Sequence, residues 1–137
     1  LYGQLENSEE IQLKRRAIWE RYFTELSGWA LSNQVSLPFV PEYCKQSYHM
    51  FYMLFPEKSE RDKFINYLSN HDVAAVFHYL PLDSSEMGLK IALSDQSECP
   101  VSSNISNCIV RLPMFYGLEF SEQTRVINTI INYAIQG

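Results

Sequence analysis

Three short runs of strand-forming residues, each stopped by a proline, constrain the fold of this chain more than any other feature. They are residues 48–55 before Pro56, residues 73–79 before Pro81, and residues 109–112 before Pro113. Because proline has no N–H group to donate to a sheet ladder, no run can continue as a strand through its proline. Apolar residues at helical spacing lie between the runs, so the chain alternates strands with helices.

The order of these elements predicts an α+β fold with a small sheet. A helix joins the first run to the second, so those two strands should lie parallel with a slot between them. The third run can fill that slot in the antiparallel direction. We therefore expect a three-stranded, mainly antiparallel sheet in the spatial order 1-3-2, with the helices packed mainly on one of its faces.

Capping residues and helix breakers predict where each helix begins and ends. The expected helices run from Ser8 to Ser27–Gly28, from a capping box at Ser59–Asp62 to about Asn70, around Met87–Ala92, from Pro100 onward, and from a capping Ser121 onward. These ends divide the chain into a leading helix (1–28), an extended connection (29–47) and a core of sheet and helices (48–137).

Charge and hydropathy exclude two classes of partner. The 137 residues carry a net charge of −5, and the largest basic cluster, Lys14-Arg15-Arg16, is flanked by Glu9, Glu10 and Glu20. Nucleic-acid binding needs a basic face, so we expect no nucleic-acid partner. No apolar run approaches the roughly 18 residues of a spanning helix, and no signal-peptide pattern opens the chain. We expect a cytoplasmic protein without a membrane partner.

Cysteines and lysines supply no complete catalytic or metal site. The three cysteines, Cys44, Cys99 and Cys108, are odd in number and form no C-x-x-C pair, which argues against disulfides and zinc. Cys99 and Cys108 bracket an expected helix, so we expect both to be buried. No Gly-rich phosphate loop or G-x-S-x-G elbow is present, and the five lysines lie in polar contexts unsuited to Schiff-base chemistry.

Two places in the chain offer candidate binding residues. His78 and Tyr79 lie at the end of the second run, just before Pro81, where polar side chains often meet ligands. The pair is also compatible with a half-buried, hydrogen-bonded edge of the sheet. Arg111, in the third run, is either an anion contact for a carboxylate or phosphate, or a strand residue paired to a nearby glutamate or carbonyl.

Three ordered motifs carry a family resemblance. They are Tyr48-His49-Met50-Phe51-Tyr52, Val76-Phe77-His78-Tyr79-Leu80-Pro81-Leu82 and Arg111-Leu112-Pro113-Met114-Phe115-Tyr116. In this order they resemble the C-terminal domain of the DegT/DnrJ/EryC1/StrS family of PLP-dependent sugar aminotransferases. The opening helix, with Arg16-Ala17-Ile18-Trp19, is similar to the helix that leads into that domain, so the resemblance covers essentially the whole chain.

The resemblance implies an enzyme larger than this chain. Such enzymes are fold-type I homodimers whose N-terminal domain holds pyridoxal 5′-phosphate (PLP) through a Schiff-base lysine, while the small C-terminal domain closes one wall of the cleft. The amino group passes from glutamate to the cofactor and then to the C4 keto carbon of a nucleotide sugar. The motifs are most similar to members that act on dTDP-4-oxo-6-deoxyhexoses for lipopolysaccharide, O-antigen or enterobacterial common antigen.

The resemblance also implies roles for individual residues. His78 and Tyr79 match a pair that lies near the sugar-nucleotide site, Arg111 is a candidate anion contact, and His49 is matched only as a strand-start position. Asp83 stands where relatives usually have a histidine, and a carboxylate there is unfavourable beside a diphosphate. No residue matches the cofactor lysine, so we expect the N-terminal cofactor domain to be absent and this chain alone to be inactive.

An alternative is a non-catalytic nucleotide-sugar-binding or interaction module with the same architecture. Both alternatives use the same candidate residues. The sequence upstream of Leu1 discriminates between them, because only the transaminase needs a lysine-bearing cofactor domain there.

The first testable prediction concerns the cofactor. Because none of its lysines matches the family's cofactor lysine, the isolated chain mixed with PLP should develop no stoichiometric visible absorbance band. Absorbance spectroscopy at equimolar PLP checks this expectation. A band that disappears when one single lysine is replaced would contradict it.

Overall fold

The computed structural model describes residues 2–91 and 99–134, and these form an α+β fold, as the sequence predicts. The elements in chain order are α1 (Tyr2–Glu6), α2 (Ser8–Ser32), β1 (Tyr52–Leu54), α3 (Lys58–Asn70), α4 (Glu86–Ile91), α5 (Pro100–Cys108), β2 (Ile109–Arg111) and α6 (Phe120–Ile131). The short helix predicted around Met87 is α4, although its predicted last residue, Ala92, lies outside the described residues.

The sheet formed by the described residues has two antiparallel strands, β1 and β2, paired from Tyr52 with Arg111 to Leu54 with Ile109. The prediction of a third strand is wrong. In its place, Val76 makes one isolated bridge to Arg111, with N–H···O distances of 3.2 and 2.7 Å. A three-stranded sheet of order 1-3-2 is therefore not formed by this part of the chain.

Local hydrogen bonds explain why residues 73–79 do not form a strand. The N–H of Val73 donates to the carbonyl of Leu68 at 2.9 Å and closes the end of α3. The N–H of Ala75 donates to the carbonyl of Val73 at 3.0 Å. Since each backbone N–H is a single donor, neither can also join a sheet ladder. Val76 is the residue whose backbone groups both pair with β2.

β1 is also shorter than the predicted strand of residues 48–55. Tyr48 has a φ of 47°, in the left-handed region, and a strand cannot pass through that conformation. Beyond this point the chain becomes extended, and Phe51 and Met53 are fully buried on the same side. The bend at Tyr48 therefore sets where the strand can begin.

The prediction for the first helix is wrong at both ends. Asn7 rather than Ser8 occupies the N-cap position of α2, and the helix continues through Ser27–Gly28 to end at Ser32. Residues 29–32, which were predicted to belong to the extended connection, are therefore helical.

Tertiary packing explains why α2 continues past its glycine. A glycine inside a helix costs about 1 kcal/mol relative to alanine. Leu26 and Ala30, on either side of Gly28, are buried, and burial of a leucine side chain contributes about 1.5–3 kcal/mol. The indole Nε1 of Trp29 also donates to the carbonyl of Tyr133 at 2.8 Å. These contacts outweigh the local preference of Gly28 to end the helix.

Two further predicted N-caps are wrong. Ser59 and Ser121 lie inside α3 and α6, whose N-cap residues are Glu57 and Glu119. At the start of α6 the backbone N–H of Glu119 donates to the carboxylate of Glu122 at 2.9 Å. This is the contact that the N3 glutamate of a capping box makes with the N-cap residue, so α6 is capped without Ser121.

Three short-range predictions are confirmed. Pro100 is the first residue of α5, α3 ends at Asn70, and the third run forms β2. Cys108 is buried as predicted, but Cys99, the residue before α5, is exposed, so that part of the prediction is wrong. Within residues 2–91 and 99–134, no helix is long and apolar enough to cross a membrane.

An aromatic cluster forms the centre of the core. The rings of Tyr22 and Phe51 lie 5.3 Å apart, and Trp19 lies 5.4 Å from Phe51. The rings of Phe55 and Phe64 lie 4.7 Å apart. Each such pair contributes about 0.5–1.5 kcal/mol beyond the burial of its area. Through this cluster α2, β1 and α3 share one core.

Arg21 joins α2 to α6. Its guanidinium donates to the carbonyl of Phe120 at 2.9 Å and to Oγ1 of Thr124 at 2.7 Å. The same group lies 3.7 Å from the centroid of the Phe120 ring. Next to it, the buried amide of Gln123 donates to the carbonyl of Ile18 at 2.7 Å. The two long helices are therefore connected by polar contacts as well as by apolar packing.

We predict that Arg21→Ala lowers the free energy of unfolding by about 2–3 kcal/mol, because it removes two hydrogen bonds from a charged donor and a cation–π contact. Arg16→Ala is the matched control: Arg16 is exposed and pairs with Glu20 on the same helix, so its loss should cost at most about 0.5 kcal/mol. Urea unfolding measures both values. Equal losses for the two variants would contradict this role of Arg21.

Candidate functional site

The segment that follows α3 carries His78 and Tyr79 to the edge of the sheet. The bridge from Val76 to β2 holds the segment before the pair. After it, the hydroxyl of Ser106 donates to the carbonyl of Tyr79 at 3.0 Å. His78 is half-buried, whereas the Tyr79 side chain is 72% exposed. Hydrogen bonds thus fix the backbone before His78 and at Tyr79, while the tyrosine ring remains accessible.

The structure brings together the three residues that the sequence singles out. The rings of His78 and Tyr79 lie 4.7 Å apart, and the guanidinium carbon of Arg111 lies 5.7 Å from the centroid of the Tyr79 ring. The bridge between Val76 and Arg111 accounts for this proximity, because it sets the segment beside β2. An accessible aromatic ring, an imidazole and a guanidinium therefore share one small area of surface.

Two polar atoms of this cluster are buried without a hydrogen-bond partner. They are Nδ1 of His78 and Nε of Arg111. A buried polar group that lacks a partner typically costs about 1–3 kcal/mol, and such groups are rare in folded proteins. Each such group calls for an explanation, and two of them in one cluster mark it as a candidate binding site.

The electrostatics of the cluster favour an anion. Burial lowers the pKa of His78 from its ordinary value of 6.5, and the nearby charges of Arg111 and His49 lower it further. His78 is therefore mainly neutral at pH 7, while the guanidinium of Arg111 keeps its charge. His49 is exposed, and its Nδ1 lies 2.8 Å from Oγ of Ser47. The structure thus places His49 close enough to influence the cluster, a position that the sequence left without a role.

Asp83, the residue that departs from the expected family pattern, makes a structural contact. Its carboxylate accepts a hydrogen bond from the backbone N–H of Cys99 at 3.2 Å, just before α5. A carboxylate is favourable beside the N–H groups that open a helix. The contact gives Asp83 a role in holding α5 near the turn that follows Pro81.

Gly88 is a structural requirement near the site that the sequence did not indicate. A Cβ atom at this position would lie 1.7 Å from the carbonyl oxygen of Leu82, which no rearrangement of a side chain can relieve. The hydroxyl of Ser85 donates to the same carbonyl at 2.8 Å and accepts from the N–H of Gly88 at 3.0 Å. The turn after Pro81 is therefore tightly closed against α4.

The described part of the chain offers neither a metal site nor a lysine suited to a PLP linkage. Among residues 2–91 and 99–134, no three His, Cys, Asp or Glu side chains lie together as metal ligands. None of the five lysines is buried. Lys58, Lys63 and Lys90 are about 60% exposed or more and pair with carboxylates on their own helices. Exposed, ion-paired lysines of this kind do not fit a cofactor linkage.

Several solved structures share this fold, among them the aminotransferase TlmJ. TlmJ from Streptoalloteichus hindustanus matches with a TM-score of 0.81 and 24% identity over 95% of this chain and 33% of TlmJ. DesV from S. venezuelae, in complex with a ketimine intermediate, matches with 0.80 and 20% identity over 96% and 34%. NtdA from Bacillus subtilis, with bound cofactor PMP, matches with 0.72 and 16% identity over 87% and 27%.

The matches cover nearly all of this chain but only part of each solved structure. The chain spans about a third of the length of TlmJ and DesV. The model of the DegT/DnrJ/EryC1/StrS aminotransferase family, in contrast, matches residues 1–131, which is nearly all of the chain. The chain therefore belongs to the DegT/DnrJ/EryC1/StrS aminotransferase family.

Proposed function

We propose that this chain forms the substrate-side part of a PLP-dependent dTDP-4-oxo-6-deoxy-D-glucose transaminase. The enzyme would transfer an amino group from glutamate to the C4 keto carbon of the sugar, for cell-surface polysaccharide. The observation that carries the proposal is the cluster of His78, Tyr79 and Arg111, with its two buried polar atoms that lack partners. Family membership supports the class of reaction.

The chemistry of the cluster suits a nucleotide sugar. A guanidinium fork matches the oxygen atoms of a phosphate group, so Arg111 would bind the diphosphate. Neutral His78 has one donor and one acceptor nitrogen, which suits a sugar hydroxyl or a bridging phosphate oxygen. The exposed ring of Tyr79 offers an amphipathic surface to the sugar. In this arrangement the three residues bind and orient the substrate.

The cofactor would be held by residues outside this chain. PLP, when bound, supplies the electron sink for amino transfer, and the structurally similar NtdA binds PMP, the amine form of this cofactor. The surface position of every lysine described here supports an N-terminal domain as the source of the Schiff-base lysine. Following the family resemblance, we extend the proposal to a cytoplasmic homodimer, in which this chain forms one wall of each substrate site.

The surface lysines are also what a non-catalytic nucleotide-sugar-binding module would show. Such a module would use the same cluster but would need no cofactor. The family match across residues 1–131 favours the transaminase. A lysine-bearing cofactor domain encoded upstream of Leu1 is the feature that separates the two functions.

In the complete enzyme, we predict that His78→Ala lowers kcat/KM for the nucleotide sugar by about 10- to 100-fold, the effect of one hydrogen bond lost to a charged partner. The rate of the glutamate half-reaction should change much less, because that step does not use the sugar site. Separate stopped-flow measurements of the two half-reactions check this expectation.

His71→Ala is the matched control for this prediction. His71 is exposed at the end of α3, and its Nδ1 lies 2.8 Å from the carbonyl of Tyr67, so its replacement should leave both half-reactions unchanged. Equal losses in both half-reactions for His78→Ala would assign that residue to the cofactor or to folding. Unchanged rates of both half-reactions in His78→Ala would indicate that His78 has only a structural role at the edge of the sheet.

Burial and the neighbouring positive charges predict the direction in which the pKa of His78 shifts. Its NMR midpoint should lie below the ordinary value of 6.5, and Arg111→Gln should raise it by removing a positive neighbour. Added dTDP should raise it as well, because a diphosphate stabilises the imidazolium. Since the fold favours neutral His78, this group's contribution to stability is lost as pH falls below about 6.5 toward the lower pKa.

A midpoint at or above the ordinary value, unmoved by Arg111→Gln, would contradict this arrangement. Arg125→Gln serves as the charge-matched control, because Arg125 binds the carbonyl of His71 at 2.7 Å rather than the cluster. That variant should leave the His78 midpoint in place.

A further inference from the structure

A second crevice lies between α3 and α5, separate from the cluster of His78, Tyr79 and Arg111. Its volume is about 480 Å³, and its lining includes Lys58, Arg61, Asp62, Asn66, Phe77, Leu80 and Asn107. Phe77 and Leu80 come from the same segment that carries His78 and Tyr79. The crevice therefore shares one wall with the proposed substrate site but has its own polar groups.

The main polar group in this crevice is a buried arginine. Arg61 is only 7% exposed, and its Nε has no hydrogen-bond partner. Oδ1 of Asp62 lies 2.9 Å from that Nε. Because the N–H does not point at the oxygen, the two residues form an ion pair without a hydrogen bond. Burial of a guanidinium is costly unless its donors are used. Arg61 therefore has unused capacity to bind an oxyanion.

The balance of charge limits how strongly negative the occupant can be. Asp62 is shared, because Nζ of Lys58 lies 3.7 Å from its other carboxylate oxygen. The two cations and the one carboxylate leave a single positive charge in excess. A monoanion matches this excess, whereas a phosphate dianion exceeds it and would be repelled more strongly by Asp62.

The remaining lining indicates what else the occupant must present. The amides of Asn66 and Asn107 can bind the edges of an oxyanion. Phe77 and Leu80 add apolar surface, and their side chains are 48% and 68% exposed. We propose that this crevice binds a small organic carboxylate with an apolar body, whose carboxylate pairs with Arg61 in the planar geometry that a guanidinium favours.

Titration of the ¹⁵N-labelled chain with hexanoate, followed by NMR, tests the proposal. We expect a saturable shift of the Arg61 Nε–H signal and of the side-chain amides of Asn66 and Asn107. Hexanamide, the neutral counterpart of hexanoate, should produce no saturable shift at Arg61. Inorganic phosphate should bind at least about tenfold more weakly than hexanoate.

Variants separate the carboxylate site from general effects on the fold. Arg61→Gln should weaken hexanoate binding about tenfold or more, and Asp62→Asn should strengthen it by removing the competing carboxylate. Arg125→Gln, which removes a half-exposed arginine outside the crevice, should leave hexanoate binding unchanged. If Arg61→Gln does not fold, the Arg61 signal of the unmodified chain and the Asp62→Asn variant decide the question.

Three results would overturn the proposal. One is binding of hexanoate that is insensitive to Arg61→Gln in a folded variant. Another is equal binding of hexanoate and hexanamide, which would assign affinity to apolar contact alone. The third is tighter binding of phosphate than of hexanoate, which would make the crevice a phosphate site rather than a carboxylate site.

Discussion

The fold depends on the packing of Tyr22, in α2, against Phe51, the residue just before β1. Tyr22 is fully buried; its ring lies 5.3 Å from Phe51, and its hydroxyl donates to the carbonyl of Pro113 at 3.0 Å. Burial raises the pKa of this phenol, so it remains a neutral donor. One side chain thus connects the long helix, β1 and the chain just after β2. Because β1 and β2 pair along their whole length, this contact also fixes the position of Arg111.

Two features bring the residues of the proposed site together: the alternation of side chains along β2 and the isolated bridge between Val76 and Arg111. Val110 is fully buried, so its neighbour Arg111 points to the other face of the sheet, as successive strand residues do. The bridge between Arg111 and Val76 then places His78 and Tyr79 beside the guanidinium. The Val76–Arg111 contact therefore both replaces the expected third strand and brings the candidate residues together. A full strand would have committed more of this segment's backbone to the sheet.

Sequence reasoning succeeded where the structure is decided locally and failed where distant contacts decide it. The proline at the start of α5 and the short run of β2 follow from backbone chemistry alone. The continuation of α2 past Gly28 depends on burial that no local pattern contains. The family motifs indicated His78, Tyr79 and Arg111 as candidates, but not their unpaired nitrogens. No local pattern singles out Arg61, because its burial depends on α5 and on the segment after α3.

A crystal structure of the complete enzyme with a dTDP-sugar tests the central claim most directly. The account predicts that polar atoms of the nucleotide sugar lie within about 3.2 Å of Nδ1 of His78 and of Nε of Arg111, which supplies the partners that both atoms lack. The Tyr79 ring should then contact the sugar. A nucleotide sugar bound elsewhere, with both nitrogens still without partners, would contradict the account.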